Sequence, residues 1–156
     1  MIKISSEFVQ ERIDVAKNDQ RQRSIFNFHE SSEDLLQRMV NALEPGTYVQ
    51  PHKHEKPPKR EVFIILTGSA VVIEFSEEGG IADHVVLKPG NNFGVEILPG
   101  IWHSLIPLQP GTVLYEVKDG PYDPSNDKQF APWAPAEDDP QAPDFNEQLL
   151  VKLGLK

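Results

Sequence analysis

The chain has 156 residues, enough for one domain whose core needs neither a disulfide nor a structural metal to fold. Its net charge of −9 argues against nucleic acid and anionic membrane as partners, and the absence of cysteine removes thiolate chemistry and cysteine-bearing zinc sites. The opening MIKISSEFVQER has no apolar core of signal-peptide length, and no run approaches the about 20 apolar residues of a membrane span, so a soluble, cytoplasmic protein is expected.

Phe8, Val9, Ile13 and Ala16 recur at helical spacing within residues 5–17, with Ser5 or Ser6 as N-cap, and predict a short amphipathic helix. The polar stretch NDQRQRSIFNFH reads as an arm anchored by Ile25, Phe26 and Phe28. Residues 35–43 are ambiguous. Leu35, Leu36, Met39, Val40 and Leu43 fit a helix that Ser31 or Ser32 would cap, yet the segment runs into the turn Pro45-Gly46 and the β-prone Thr47-Tyr48-Val49. Beyond it the chain reads as short strands: Glu61–Leu66, Ser69–Phe75, Ile81–Leu87, Asn92–Leu98, Ile101–Ile106 and Thr112–Lys118. Strands at regular spacing with Gly/Pro turns predict an antiparallel sandwich or small barrel. Residues 119–145 hold six of the fourteen prolines with Tyr122, Phe130, Trp133 and Phe145, which predicts an irregular, ordered wrapping segment. Phe145–Leu153 has helical spacing. One domain is expected over residues 1–156: helix and arm to 34, barrel over 35–118, wrap and terminal helix over 119–156.

The chemistry concentrates in GTYVQPHKHEKPPKREVFIILTG, residues 46–68. His52 and His54 are two apart, a spacing that points both to one face of a strand, and Glu61 follows after six residues. His103, in GVEILPGIWH, supplies a fourth donor. Three imidazoles and a carboxylate make a site for one divalent transition metal (Fe, Mn, Ni or Zn) with room left for water or substrate. Phe63 and Ile65 share the side of Glu61 and line the cavity, whereas Val62, Ile64 and Leu66 face away and are just as apolar. A strand apolar on both faces is covered on both, so the arm, the wrap or a second copy must lie outside, and a homodimer is expected. Between His52 and Glu61 stand Lys53, Lys56, Lys59 and Arg60, stiffened by Pro57-Pro58. They form either a solvated hairpin tip or a basic cluster that draws an anionic small-molecule substrate to the metal.

These motifs resemble a known superfamily. Gly46, five residues, His52-x-His54, a spacer, Glu61, six residues and Gly68 resemble the first cupin motif; Gly94, four residues, Pro99-Gly100, two residues and His103 resemble the second. The spacer is longer than the usual cupin one, and Pro-Gly stands where many have Pro-x-Gly. NALEPGTYVQPHKH, PGIWHS, YEVKDGPYDP and DKQFAPWAPAE together look like the WbuC-like cupin-fold metalloproteins, over roughly residues 13–140. The resemblance implies an all-β fold, a small antiparallel barrel or double-stranded β-helix of jelly-roll type, with a strand over 36–43. It also implies a small polar substrate, a sugar or polysaccharide precursor, and draws attention to Arg23, Asn27, His29 and Glu116. Candidate catalytic residues are Glu116, Tyr48 and His29, and candidate substrate-binding residues are Lys53, Lys59, Arg60, Arg23 and Asn27. Three functions stay open: a metal-dependent isomerase or epimerase, an iron-dependent dioxygenase, and a non-catalytic sugar- or metal-binding module.

Overall fold

A computed structural model describes residues 1–156. Ten strands form two five-stranded antiparallel sheets laid face to face. The first sheet has the order β1 (Arg23–Asn27), β2 (Leu36–Leu43), β9 (Thr112–Asp119), β4 (Glu61–Thr67), β7 (Gly94–Ile97). The second has β10 (Gln129–Phe130), β3 (His52–Lys53), β8 (Trp102–Pro107), β5 (Ala70–Phe75), β6 (Ile81–Leu87). Helix α1 is Ser6–Asn18 and helix α2 is Ala142–Lys152. This is a small cupin-like β-sandwich.

Pairing register fixes which side chains meet. Across β1, β2, β9 and β4, directly opposed residues include Ile25, Asn41, Leu114 and Ile65, and these point between the sheets. There Leu43, Leu114, Phe63, Ile65 and Ile97 meet Ala70, Val72, Leu87 and Leu105 of the second sheet in one buried cluster. The alternate residues Val40, Ala42 and Val113 face outward under Ile13 and Ala16 of α1. Ser5 caps that helix by accepting the Phe8 N–H at 3.3 Å. The second sheet's outer face, with Val71, Ile73, Phe75, Trp102 and Ile106, is covered by Ala131 of the proline-rich segment and Leu149 of α2. Pro143 stands in the first turn of α2, where its missing N–H costs nothing.

Two glycines of the histidine-bearing motifs have a packing reason. A Cβ on Gly94 would lie 2.5 Å from the Phe63 carbonyl oxygen, and one on Gly68, at φ +73°, would lie 2.6 Å from the Thr112 Cα.

The strand over 36–43 is present, and its helix-like spacing has a cause: Val40 and Ala42 pack under α1 while Leu43 packs between the sheets, so both faces of the strand carry apolar residues. Other expectations need correction. Residues 23–27, read as part of the anchored arm, are the edge strand β1, paired with β2 from Arg23↔Leu43 to Asn27↔Met39. Thr47-Tyr48-Val49 is not a strand, and the proline-rich segment contributes the two-residue β10. The outer side of β4 is covered by α1 only at Leu66, while Ile64 stays 38% exposed. No helix is long and apolar enough to cross a membrane.

Candidate metal centre

His52 and His103 are direct partners across β3 and β8, and their rings lie 4.5 Å apart. His54 follows β3 immediately. Glu61 opens β4 in the opposite sheet, so the four donors close one end of the space between the sheets. All four residues are buried, and one donor atom from each lies within 4.8 Å of the others.

Each imidazole is held from behind. Nδ1 of His52 lies 2.9 Å from the Gln50 carbonyl, Nδ1 of His103 lies 2.9 Å from the Ile101 carbonyl, and Nδ1 of His54 bonds the Asp127 carbonyl. A carbonyl can only accept, so each Nδ1 carries the ring proton and each Nε2 presents a lone pair. Nε2 of His52 and of His54 are buried without any hydrogen-bond partner. Nε2 of His103 lies 2.9 Å, and Nε2 of His54 3.7 Å, from the same oxygen of Glu61. Lone pairs aimed at a carboxylate repel unless something positive lies between them. The donor set of three neutral nitrogens and one anionic oxygen therefore fits a divalent ion such as Fe, Mn, Ni or Zn.

Electrostatics separate the two buried carboxyls. Burial alone would raise Glu61, but its close approach to His103 and His54 outweighs that and holds this carboxyl well below its ordinary value. Glu116 is pushed well above its ordinary value by burial and by the neighbouring Glu61 charge. Asn41 Nδ2 donates to Glu116 at 2.6 Å. Burial, then the positive charge of Lys128, holds the His52 imidazole well below its usual range. Glu61, Glu116 and Asn41 share a cavity of ≈ 100 Å³ with His52, His103 and Arg23. A second cavity of ≈ 280 Å³ runs alongside, reached by Asn27 and His29 and sharing Glu116 and Lys128 with the first.

The other candidates lie elsewhere. Lys53 sits on the opposite face of β3 from His52, 4.6 Å over the Trp102 ring and paired with Glu55 and Glu77. Lys59 is buried, donating to Asp127 at 2.6 Å and to the Pro121 carbonyl at 2.5 Å. Arg60 is exposed and its backbone N–H is bound to Asp119. The spacer thus forms no basic cluster over the cavity: Lys59 is consumed in packing, while Lys56 and Arg60 are exposed and absent from the cavity lining. Tyr48 donates its hydroxyl to the Pro135 carbonyl at 2.8 Å and fastens the proline-rich segment.

Three contributors escape a motif search. Asp127 orients His54 through its carbonyl, while its carboxylate holds Lys59 and Lys118, the latter at 2.8 Å. Asn41 and Lys128 are the other two. Their sequence signals are the quoted stretches that hold them: Asn41 opens NALEPGTYVQPHKH, and DKQF contains Asp127 and Lys128.

No curated protein matches the sequence of this chain. Among solved structures, the capsular polysaccharide assembling protein CapF from Staphylococcus aureus is 23% identical, with a TM-score of 0.60 over 72% of this chain and 30% of CapF. This chain thus spans about a third of the length of CapF. The L-ribose isomerase of Cellulomonas parahominis is 13% identical, with a TM-score of 0.56 over 70% of this chain and 69% of the isomerase. An uncharacterized conserved protein from Klebsiella pneumoniae with a double-stranded β-helix domain is 17% identical, with a TM-score of 0.57 over 84% of this chain and 98% of that protein. These likenesses show the shared fold. The family model for a domain of unknown function (DUF6016) matches residues 4–87, more than half of the chain, and the chain therefore belongs to that family.

Proposed function

We propose that this chain is a metal-dependent enzyme of the WbuC-like cupin type. In this reading it works in the cytoplasm on a sugar or sugar-nucleotide-like molecule of surface-polysaccharide metabolism, and its reaction is an isomerisation. One observation carries the reading: a cluster of four donor atoms opens, through His52, Glu61 and His103, on a cavity that also exposes a further carboxyl, Glu116, which the ligand set does not need. A divalent ion bound there would act as a Lewis acid on a substrate carbonyl oxygen. Isomerisation shifts a proton between adjacent carbons, which requires a group that takes the proton from one and returns it to the next. Glu116 is the group so placed, and the Asn41 amide holds its carboxyl in position. Val49, Phe63 and Leu105 wall the cavity with apolar surface and limit water. Among proteins sharing the fold, L-ribose isomerase carries out a reaction of this type.

The test is to incubate metal-loaded protein with aldose–ketose pairs and nucleotide sugars in deuterated water and follow deuterium uptake by NMR. Uptake at one carbon by the wild type, lost in Glu116→Gln while metal content stays the same, is expected. Product formation that consumes oxygen in proportion would refute isomerisation in favour of an iron-dependent dioxygenase. Metal binding without turnover of any compound would leave a binding module.

A further inference from the structure

The lysines nearest the histidines in sequence are turned away from the cavity, and two cations from distant segments face it instead. Arg23 in β1 and Lys128, beside β10, line the ≈ 100 Å³ cavity with His52, Glu61, His103 and Glu116. The Arg23 guanidinium is fixed: Nη1 donates to the Tyr48 carbonyl at 3.0 Å and Nη2 to Glu137 at 2.8 Å. Its Nε–H is buried and has no acceptor. Lys128 is exposed at the mouth and enters no ion pair, because the adjacent Asp127 is occupied by Lys59 and Lys118. Of the cavity carboxyls, Glu61 belongs to the donor cluster and Glu116 accepts from Asn41. A buried charged donor without an acceptor, beside an unpaired ammonium, is completed by an oxyanion.

We propose that the cavity binds its substrate through an anionic group, a carboxylate or phosphate, anchored between Arg23 and Lys128 at the mouth of the donor cluster. This rests on the functional reading above for the word substrate; the anchor itself needs only the two cations. The second cavity, with Asn27 and His29 along β1, gives the remainder of a larger molecule room to extend, because Lys128 and Glu116 wall both. Recognition of this kind selects acidic sugars or sugar phosphates over neutral ones. It also speeds capture by a chain whose net charge of −9 otherwise repels anions.

Inorganic phosphate and acetate serve as probes, titrated calorimetrically into metal-free and metal-loaded full-length protein at low and high salt. Glucose is the neutral control, and metal content is measured on the same samples. At least one anion should bind, more weakly at high salt, while glucose should not; whichever anion binds more tightly identifies the group. Lys128→Gln, a change at an exposed position, should weaken that binding about tenfold or more. Lys56→Gln, on the exposed spacer, should leave it unchanged. Arg23→Gln should weaken it too, but it also loosens Glu137, so Lys128 decides. Absence of anion binding in both metal states would overturn the proposal, and so would equal affinity of Lys128→Gln and wild type. Anion binding that depends on Lys128 in protein that takes up no metal when metal is offered would uphold the anchor while refuting the metal centre.

Discussion

Asp127→Asn is the substitution whose consequence follows most directly from the geometry. The Asp127 carboxylate bridges two ammonium groups, Lys59 at 2.6 Å and Lys118 at 2.8 Å, and its side chain is 3% exposed against 2% and 6% for the lysines. Neutralising it leaves two buried cations without their counter-charge, and removal of one partner from a buried ion pair costs about 3–5 kcal/mol. For a chain of this size that corresponds to a melting temperature lower by roughly 6–20 °C. The pH dependence has a definite sign. Burial alone would raise the Asp127 carboxyl, but Lys118 and Lys59 outweigh it and hold it below its ordinary value. Its contribution is therefore complete above the unfolded value of about 3.9 and is lost as pH falls through the lower native value. Urea unfolding of metal-free protein at neutral pH measures the loss without any contribution from bound ion. The triple variant Lys59→Met/Asp127→Leu/Lys118→Met should be less destabilised than Asp127→Asn, since apolar replacement of a whole buried ionic group is often neutral. Asp127→Asn within about 0.5 kcal/mol of wild type, the usual range of a surface change, would refute the assignment of a stabilising buried ion network.

Protein purified without added metal or affinity tag should contain about one divalent ion per chain, because the four donors form one set. His103→Ala should lose most of it and remain folded; equal metal in wild type and His52→Ala/His54→Ala, by elemental analysis, would refute the site. The metal should leave on acidification. Metal-free protein should also lose stability as pH falls below about 6.5, because the folded chain holds His52 neutral while the unfolded chain protonates it; a denaturation midpoint flat from pH 7 to 5 would contradict this. A dimer mass is expected by light scattering coupled to gel filtration, since Ile64 of β4 and Phe93 and Leu98, which flank β7 at its two ends, are exposed. A monomer at micromolar concentration would show that this face remains in water.

The ligand residues and most of the strands were legible because they rest on local signals. His52-x-His54, Glu61 before an apolar run and His103 after a Pro-Gly turn are each read within a few residues, and Gly/Pro turns bound the strands between them. The edge strand β1 was harder. RSIFN has polar or exposed residues throughout, and its strand character comes from hydrogen bonding to β2, not from its own composition. Lys53 and Lys59 misled for a related reason. Their charge suggests solvent, but their partners, Trp102, Glu77, Asp127 and the Pro121 carbonyl, are remote in the chain. The anchoring pair Arg23 and Lys128, 105 positions apart in numbering, belongs to the same class of long-range fact.

The pairing of β10 with β3 has a consequence for the order of events during synthesis. A nascent chain emerges from its N-terminus and reaches His103 well before the carbonyl of Asp127 and the strand Gln129–Phe130 exist outside the ribosome. Until then His52 lacks one neighbouring strand, and the His54 ring has nothing to fix its rotation. The donor cluster is therefore completed late, after the sheets that surround it. A ribosome-bound fragment ending at Lys118 should capture ions loosely and with little selectivity, and secure loading should wait for residues 127–130.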